Sequence, residues 1–219
     1  MESSMLQLLV LLGIAVFLVL RLRNVLGTRE GFEKPPVPMP SQRSDVQRDF
    51  EVIEGGPDRD ITDHVEEGSP QADALARMKG VEPSFGVSDF LQGARGAYEM
   101  IVMGFERGDL DDIKPFLAED VYDAFVDAVA AREDQGLKTE AEFIGVRETR
   151  IADVSYDEDL RFAEVTVRFV GELTRVVRNA DGTIVDGDPH AVKKQKDSWT
   201  FARTMGNDDP NWILVATGV

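Results

Sequence analysis

The sequence predicts an α+β domain in which about four antiparallel strands wrap on a long helix, preceded by a membrane anchor and a disordered linker. Three observations carry this prediction: one long amphipathic stretch, a change from helical to strand periodicity near Lys138, and a breaker-rich acidic region ahead of both. Apolar residues three and four apart predict a helix, whereas alternation predicts a strand. The chain accordingly divides into residues 1–29 as anchor, 30–70 as acidic flexible linker and 71–219 as folded domain.

Residues 5–20 form the most apolar run of the chain. They carry no charge, and twelve of them are Leu, Ile, Val or Phe. At roughly −0.3 to −0.6 kcal/mol each, these residues contribute about −4 to −7 kcal/mol to membrane insertion. The run lacks a basic N-terminal flank and a small-residue cleavage site, so an uncleaved anchor fits better than a signal peptide or a buried core helix. Arg21, Arg23 and Arg29 follow the run, which predicts a single pass with the N-terminus outside and the domain in the cytoplasm.

Residues 30–70 are rich in Pro and Gly and poor in apolar side chains. Eleven acidic residues against four basic ones give this segment a net charge of −7. Such a segment cannot bury enough apolar surface to offset the conformational entropy that folding would remove. We therefore predict a flexible, partly polyproline tether, with a short partner-binding motif in QRDFEVIEG as the alternative.

The stretch FLQGARGAYEMIVMGF, residues 90–105, is predicted to be the long helix. Its apolar side chains recur every three or four residues and form a single broad stripe. Ser88 or Asp89 is predicted to cap its start, and Gly108 is suited to the left-handed conformation that ends a helix. A stripe of this length needs an apolar surface of its own length to cover it.

Shorter helices surround the long one, and strands follow. Residues 71–80 predict a short helix, Leu110 begins a further helical turn, and an amphipathic helix runs from about Val121 until Gly136 stops it. Asn179-Ala-Asp-Gly182 has strong hairpin-turn chemistry. The predicted strands cover residues 143–154, 160–178, 191–203 and 212–217.

The long helix and the sheet are predicted to bury their apolar faces against each other, leaving a concave apolar space between them. Glu106 is placed on the opposite, solvent-facing side of the helix. The residues predicted to line the space are Tyr98, Ile101, Val102, Phe105, Val167, Phe169, Trp199 and Trp212.

The composition excludes several kinds of site. The chain has no cysteine and only two histidines, His64 and His190, so thiolate chemistry and a histidine-rich metal site are ruled out. Its net charge of −17 argues against a nucleic-acid partner. We predict no catalytic residue, metal or cofactor. Four acidic clusters lie at element boundaries and are interpreted as caps and turns: Asp109/Asp111/Asp112, Asp157/Glu158/Asp159, Asp186/Asp188 and Asp208/Asp209.

Several segments together resemble the Tim44-like domain family, and the resemblance covers about Gln71 to the C-terminus. The short apolar N-terminus followed by RLRNVLGTREGFE is similar to that of the bacterial TimA-type members, membrane-anchored homologues of the mitochondrial inner-membrane translocase subunit. The segments that carry the resemblance are FLQGARGAYEMI at 90–101 with FERGD at 105–109, Val121-Tyr122 and Phe125, VTVRF at 165–169, DSWTFAR at 197–203, and DPNW at 209–212 closing in LVAT at 214–217.

This resemblance implies a cone-shaped fold related to the nuclear transport factor 2 (NTF2-like) superfamily, with an apolar pocket between sheet and helices. It also implies residence in the bacterial inner (plasma) membrane. The mitochondrial relative is a scaffold that links a translocation channel to a chaperone motor and contacts cardiolipin. We therefore expect a non-enzymatic, membrane-tethered adaptor for inner-membrane or translocating proteins, with phospholipid as a further partner.

The alternative function is a small-ligand or lipid binder, or an isomerase-like enzyme, that uses the pocket of the cone. An isomerase needs an acid or base that points into the pocket. A carboxylate of the sheet, such as Glu164 or Glu172, buried against the long helix would favour this alternative.

Overall fold

The computed structural model describes residues 56–218, in which all helices precede the sheet. The predicted anchor and most of the predicted linker lie outside this part. No helix within residues 56–218 is both long and apolar enough to cross a membrane. The helices are α1 (Arg59–Thr62), α2 (Pro70–Val81), α3 (Val87–Arg107), α4 (Leu110–Ile113), a 3-10 turn (Lys114–Phe116) and α5 (Glu119–Asp134). The strands are β1 (Lys138–Asp157), β2 (Phe162–Arg178), β3 (Ile184–Thr204) and β4 (Ile213–Gly218).

The four strands form one antiparallel sheet in the order β1-β2-β3-β4. The α+β class and the four-stranded antiparallel sheet predicted from the sequence are confirmed. Strands β1 and β3 begin earlier than predicted, because residues 138–142 and 184–188 extend the sheet by pairing with the end of β2. Many side chains of these extensions are exposed, so they carry little of the apolar alternation that marks a strand.

Strand β1 bends around the helices instead of running straight. Its pairing with β2 shifts register at three points, next to Gly145, Arg147 and Ala152. Each such bulge adds an unpaired residue to one strand and increases its local twist and bend. The bends let β1 contact both α2 and α3.

Helix α3 forms for the reasons that its periodicity predicts. Tyr98 and Ile101 are fully buried, and Val102 is nearly so, beneath the sheet. Gly108 ends the helix at φ 80°, where its N–H bonds to the carbonyls of Gly104 and Phe105. A residue with a Cβ would be strained in this left-handed conformation.

The start of α3 differs from the prediction, because neither Ser88 nor Asp89 caps it. The N-cap position is Gly86, and the cap comes from Asp60, far away in the sequence. The Asp60 carboxylate accepts hydrogen bonds from the backbone N–H groups of Val87, at 2.7 Å, and Ser88, at 3.0 Å. It also pairs with Lys79 at 2.8 Å.

This contact also corrects the end of the predicted linker. Asp60 lies in α1, and Ile61 beside it is buried in the core. Residues 59–65 therefore belong to the folded domain and not to a flexible tether. No apolar periodicity marks this segment, because α1 has one turn and a single buried apolar residue.

Replacing Asp60 with Asn is expected to lower the free energy of unfolding by about 1–2 kcal/mol at pH 7. Burial alone would raise the pKa of Asp60, but hydrogen bonds from Lys79, Ser88 and Val87 outweigh it and hold that pKa well below its usual range. A depressed pKa stabilises the fold above the unfolded-state pKa of about 3.9 and loses this contribution as the pH falls below it. Urea unfolding at pH 7 and pH 3 should show the difference shrinking in acid. Asp63→Asn, at an exposed position of the same segment, is the control.

Two residues at the end of α3 are placed differently from the prediction. Phe105 is only partly buried and packs on Phe125 of α5, with ring centroids 4.8 Å apart, instead of facing the centre of the sheet. Glu106 is buried and not solvent-facing, and its carboxylate pairs with Arg175 at 2.9 Å and Arg132 at 3.8 Å. Helix α5 and the C-terminal end of β2 cover this end of α3, so both sides of the helix are partly enclosed there.

Candidate functional site

An open cavity of about 450 Å³ lies between the start of α3 and the end of the sheet. Five aromatic side chains line it, and we call it the aromatic groove: Phe85, Phe90, Phe116, Phe201 and Trp212. The ring of Phe90 lies 4.6 Å from that of Trp212 and 6.1 Å from that of Phe201. The Phe85 ring lies 5.9 Å from that of Trp212.

The floor of the aromatic groove is a row of small residues on α3. Gly93, Ala94 and Ala97 follow one another along the helix face that the groove exposes. A Cβ atom added to Gly93 would meet no atom within 4 Å apart from its chain neighbours and the backbone of its own helix. The absence of side chains at this point therefore creates the space.

Arg203 forms the polar end of the aromatic groove. Its guanidinium group is buried, donates to the Pro210 carbonyl at 3.0 Å and pairs with the Glu82 carboxylate. It also lies over the Trp212 ring, 5.4 Å from the centroid. Its Nε has no hydrogen-bond partner among residues 56–218. Arg203 thus fixes Trp212 and the 206–211 loop while keeping one donor free.

Glu82 contacts this polar end of the aromatic groove from the helical side. Its carboxylate accepts from the Gly206 N–H at 2.9 Å as well as from Arg203. Burial would raise the pKa of Glu82, but these hydrogen bonds and the charge of Arg203 lower it below its usual value. Glu82 is therefore a carboxylate at neutral pH and offsets the buried charge of Arg203.

A second concavity of about 160 Å³ lies at the other end of α3, where β4 stops and β3 becomes an edge of the sheet. We call it the small cavity. Its apolar walls are Ile101, Val102, Phe105, Phe125 and Trp199, and its polar groups belong to Glu106, Gln195, Asp197 and Thr217.

Asp197 is one of two buried carboxylates that line the small cavity, the other being Glu106. It lies opposite Phe169 in the β2–β3 register, on the sheet face that meets α3. Tyr98 of α3 donates its hydroxyl to the Asp197 carboxylate at 2.5 Å. Burial, together with this bond to a negative charge, raises the pKa of Tyr98 far above its usual range, so the hydroxyl stays a donor.

The structure divides the eight predicted pocket residues among three places. Ile101, Val102, Phe105 and Trp199 line the small cavity, and Trp212 lines the aromatic groove. Tyr98, Val167 and Phe169 are fully buried core residues, and the Tyr98 ring stacks on that of Phe169 with centroids 4.5 Å apart. The sequence predicted one space between α3 and the sheet, but the structure has two. They are separate because the tightly packed Tyr98 and Phe169 fill the middle of the contact between helix and sheet.

The two carboxylates that the sequence offered as possible catalytic groups do not face α3. Glu172 is buried, but it lies three residues from Phe169 on β2, so its side chain points to the opposite face of the sheet. There it pairs with the exposed Arg147 at 2.7 Å. Glu164 is partly exposed and bonds to Ser155 at 3.3 Å. Sequence reasoning missed Asp197, although its alternation with Trp199 and Phe201 in DSWTF was a signal for an inward-facing side chain.

The acidic clusters interpreted as turns behave in several ways. Asp157 accepts from the Leu160 N–H at 2.9 Å and Asp209 from the Asn211 N–H at 2.9 Å, both as turn-forming contacts. Asp186 instead lies within β3 and pairs with Arg175 at 3.1 Å. No group of three or more potential metal ligands occurs within the described range.

Helix α2 carries two basic side chains, Arg77 and Lys79, and both form ion pairs. Arg77 pairs with Glu158 at 3.0 Å, and Lys79 pairs with Asp58 and Asp60 at 2.6 Å and 2.8 Å. Both cations are thus engaged with carboxylates of the same chain. A membrane surface would have to compete with these carboxylates for them.

Comparison with known proteins identifies one family. The sequence model described as the Tim44-like domain matches residues 71–219. Among solved structures, the intermembrane-space region of the chloroplast protein ARC6 is similar at 12% sequence identity and a TM-score of 0.40, covering 59% of this chain and 95% of that one. No curated protein matches the chain significantly.

Proposed function

Because this chain belongs to the Tim44-like domain family, we propose that it is a non-enzymatic, membrane-tethered adaptor that binds inner-membrane or translocating proteins through the aromatic groove. The observation that carries the proposal is the groove itself. It combines five aromatic side chains with a floor of small residues, Gly93, Ala94 and Ala97.

The size and chemistry of the aromatic groove suit an apolar side chain of a partner protein. Its volume of about 450 Å³ falls within the range of roughly 300–1,000 Å³ that is usual for binding sites. Protein interfaces derive most of their binding energy from a few aromatic or Arg residues in such a cluster. Glu82 and Asp89 at its edge outnumber Arg203, so electrostatics favour a neutral or basic partner.

A photoreactive amino acid in place of Gly93 is expected to crosslink the partner in native membranes. The position points into the aromatic groove and has room for a side chain. Gly96 is the matched control, because it is on the same helix and has the same free space but lies outside the groove. Protein adducts at 93 and not at 96, identified by mass spectrometry, would support the adaptor.

A filled groove should abolish this interaction. Gly93→Leu occupies the floor while improving helix propensity, so it should stabilise the fold slightly. Gly96→Leu brings the same gain in propensity outside the groove. Loss of co-purified partner in the first variant alone is expected, and equal retention in both would refute the groove as the binding site.

A phospholipid acyl chain is the other occupant that this apolar space could hold. The crosslinking experiment separates the two, because a lipid adduct has a distinct mass and forms in protein-free vesicles as well. An adduct of that kind at position 93 without any protein adduct would replace the adaptor with the lipid binder.

Our proposal places the chain in the bacterial inner (plasma) membrane as a single-pass protein with its N-terminus outside. It rests on the apolar run at residues 5–20 and the arginines that follow it. Protease added to right-side-out spheroplasts should leave the domain intact and should degrade it once the membrane is permeabilised. Cleavage within residues 30–70 from outside would reverse the topology.

One observation favours the isomerase-like alternative. Asp197 is a carboxylate of the sheet that is buried against α3, as that alternative requires. It faces a cavity of about 160 Å³ that is much smaller than the aromatic groove.

A further inference from the structure

We propose that the small cavity is a binding site for a protonated primary amine on a short apolar stem. The observation is a buried carboxylate without a cation. Asp197 is 8% exposed and pairs with no Lys, Arg or His of residues 56–218. A buried charge normally has a partner of opposite charge or is otherwise compensated.

The other acidic residue of the small cavity already has its counter-ions. Glu106 pairs with Arg175 and Arg132, so it needs no cation from a ligand. Asp197 receives a single side-chain hydrogen bond, from the Tyr98 hydroxyl. A carboxylate has about four acceptor positions, so several on Asp197 remain for a donor that enters the cavity.

The walls of the small cavity add a second preference for a cation. Trp199, Phe105 and Phe125 present aromatic rings to the same space, and the faces of such rings attract organic cations. Ile101 and Val102 supply an apolar surface for a hydrocarbon stem. No basic side chain lines the cavity that would repel an ammonium group.

The size of the small cavity limits the ligand. Its volume of about 160 Å³ is close to that of an engineered protein cavity of about 150 Å³ that holds one benzene molecule. A stem of about four carbons, as in butylammonium or the end of a lysine side chain, is therefore the expected size. The ammonium protons would bond to Asp197, and the stem would lie between Ile101 and the aromatic walls.

Tryptophan fluorescence offers a direct test with the full-length protein. The chain has two tryptophans, and only Trp199 lines the small cavity, so Trp212→Phe leaves a single reporter there. Titration with butylammonium chloride at constant ionic strength should give a saturable change. Equal concentrations of 1-butanol, which lacks the charge, should give a much smaller one.

Asp197→Asn should weaken butylammonium binding roughly tenfold or more, because it removes the buried charge. Asp127→Asn, at an exposed position on α5, changes the net charge equally and should leave binding unchanged. Equal binding by the Asp197 variant and its parent, equal loss in both variants, or an equal response to 1-butanol would overturn the proposal.

If Asp197→Asn fails to fold, a second variant tests whether the small cavity binds the amine. Gln195→Lys places an ammonium group on the same strand face, two residues from Asp197, where it should compete with the ligand. Gln195→Met is similar in length and neutral, and should keep binding. Undiminished butylammonium binding in the Lys variant would refute the site.

The source of the amine is distinguished by two further titrations. A peptide with one accessible lysine should displace butylammonium if the ligand is a protein side chain, whereas its acetyl-lysine form should not. Competition by free alkylamines without competition by the lysine peptide would assign the site to a small soluble amine. A failure of this site leaves the aromatic groove and the adaptor untouched.

Discussion

Replacing Phe169 with Ala is expected to lower the free energy of unfolding by about 3–5 kcal/mol. Phe169 is fully buried at the centre of the sheet, where its ring stacks on Tyr98 and lies 5.9 Å from that of Trp199. Removing the ring leaves a cavity that these neighbours cannot fill without leaving their own contacts. This loss is a large part of the roughly 5–15 kcal/mol that stabilises a typical domain.

Phe162→Ala is the matched control, because both residues are phenylalanines of β2. Phe162 is 39% exposed at the start of the strand, so its truncation should cost about 1 kcal/mol or less. Denaturant unfolding of the two variants should give a sharply lower midpoint for Phe169→Ala alone. Similar midpoints would mean that the sheet face covering α3 has been assigned incorrectly.

Replacing Glu106 with Ala is expected to lower the free energy of unfolding by about 2–4 kcal/mol. The change removes the shared partner of Arg175 and Arg132, and a buried pair that loses one member leaves an uncompensated charge. The cost should fall short of that of a fully buried pair, because the Arg175 side chain is 30% exposed and still has Asp186.

Glu99→Ala provides the comparison for Glu106 within the same helix. Glu99 is exposed on α3, and its replacement should change the free energy of unfolding by about 0.5 kcal/mol or less. The amphipathic pattern alone puts Glu106 in solvent and predicts that both variants behave alike. Urea titrations that fail to separate them would favour that simpler pattern over the enclosed ion pairs.

Much of the secondary structure follows from local properties of the sequence. The period of the apolar residues specified α3, α5 and the cores of the strands, because burial on one face imposes that period. The turns were equally local: Gly108 ends α3 at φ 80°, and Gly182 closes the Asn179 hairpin at φ 81°. Such positive φ values favour glycine wherever they occur, so no tertiary information was needed.

The candidate sites depended far more on tertiary structure. The aromatic groove joins Phe90 of α3 to Trp212 at the other end of the domain sequence, and the small cavity brings Ile101 of α3 together with Asp197 of β3. Periodicity indicates which face of an element is buried, but it does not specify where along the sheet a helix packs. That position decides whether aromatic residues form one pocket or, as here, two.

The α+β class, the long helix, the four strands and the presence of an aromatic core could all be predicted from the sequence alone. Three contacts became visible only in the folded chain: Asp60 caps α3, Glu106 is enclosed and Asp197 meets Tyr98. All three contacts link a charged side chain to a partner more than twenty residues away along the chain. A charged residue looks like a solvated one in any local pattern, because its burial depends on a counter-group that only folding brings near.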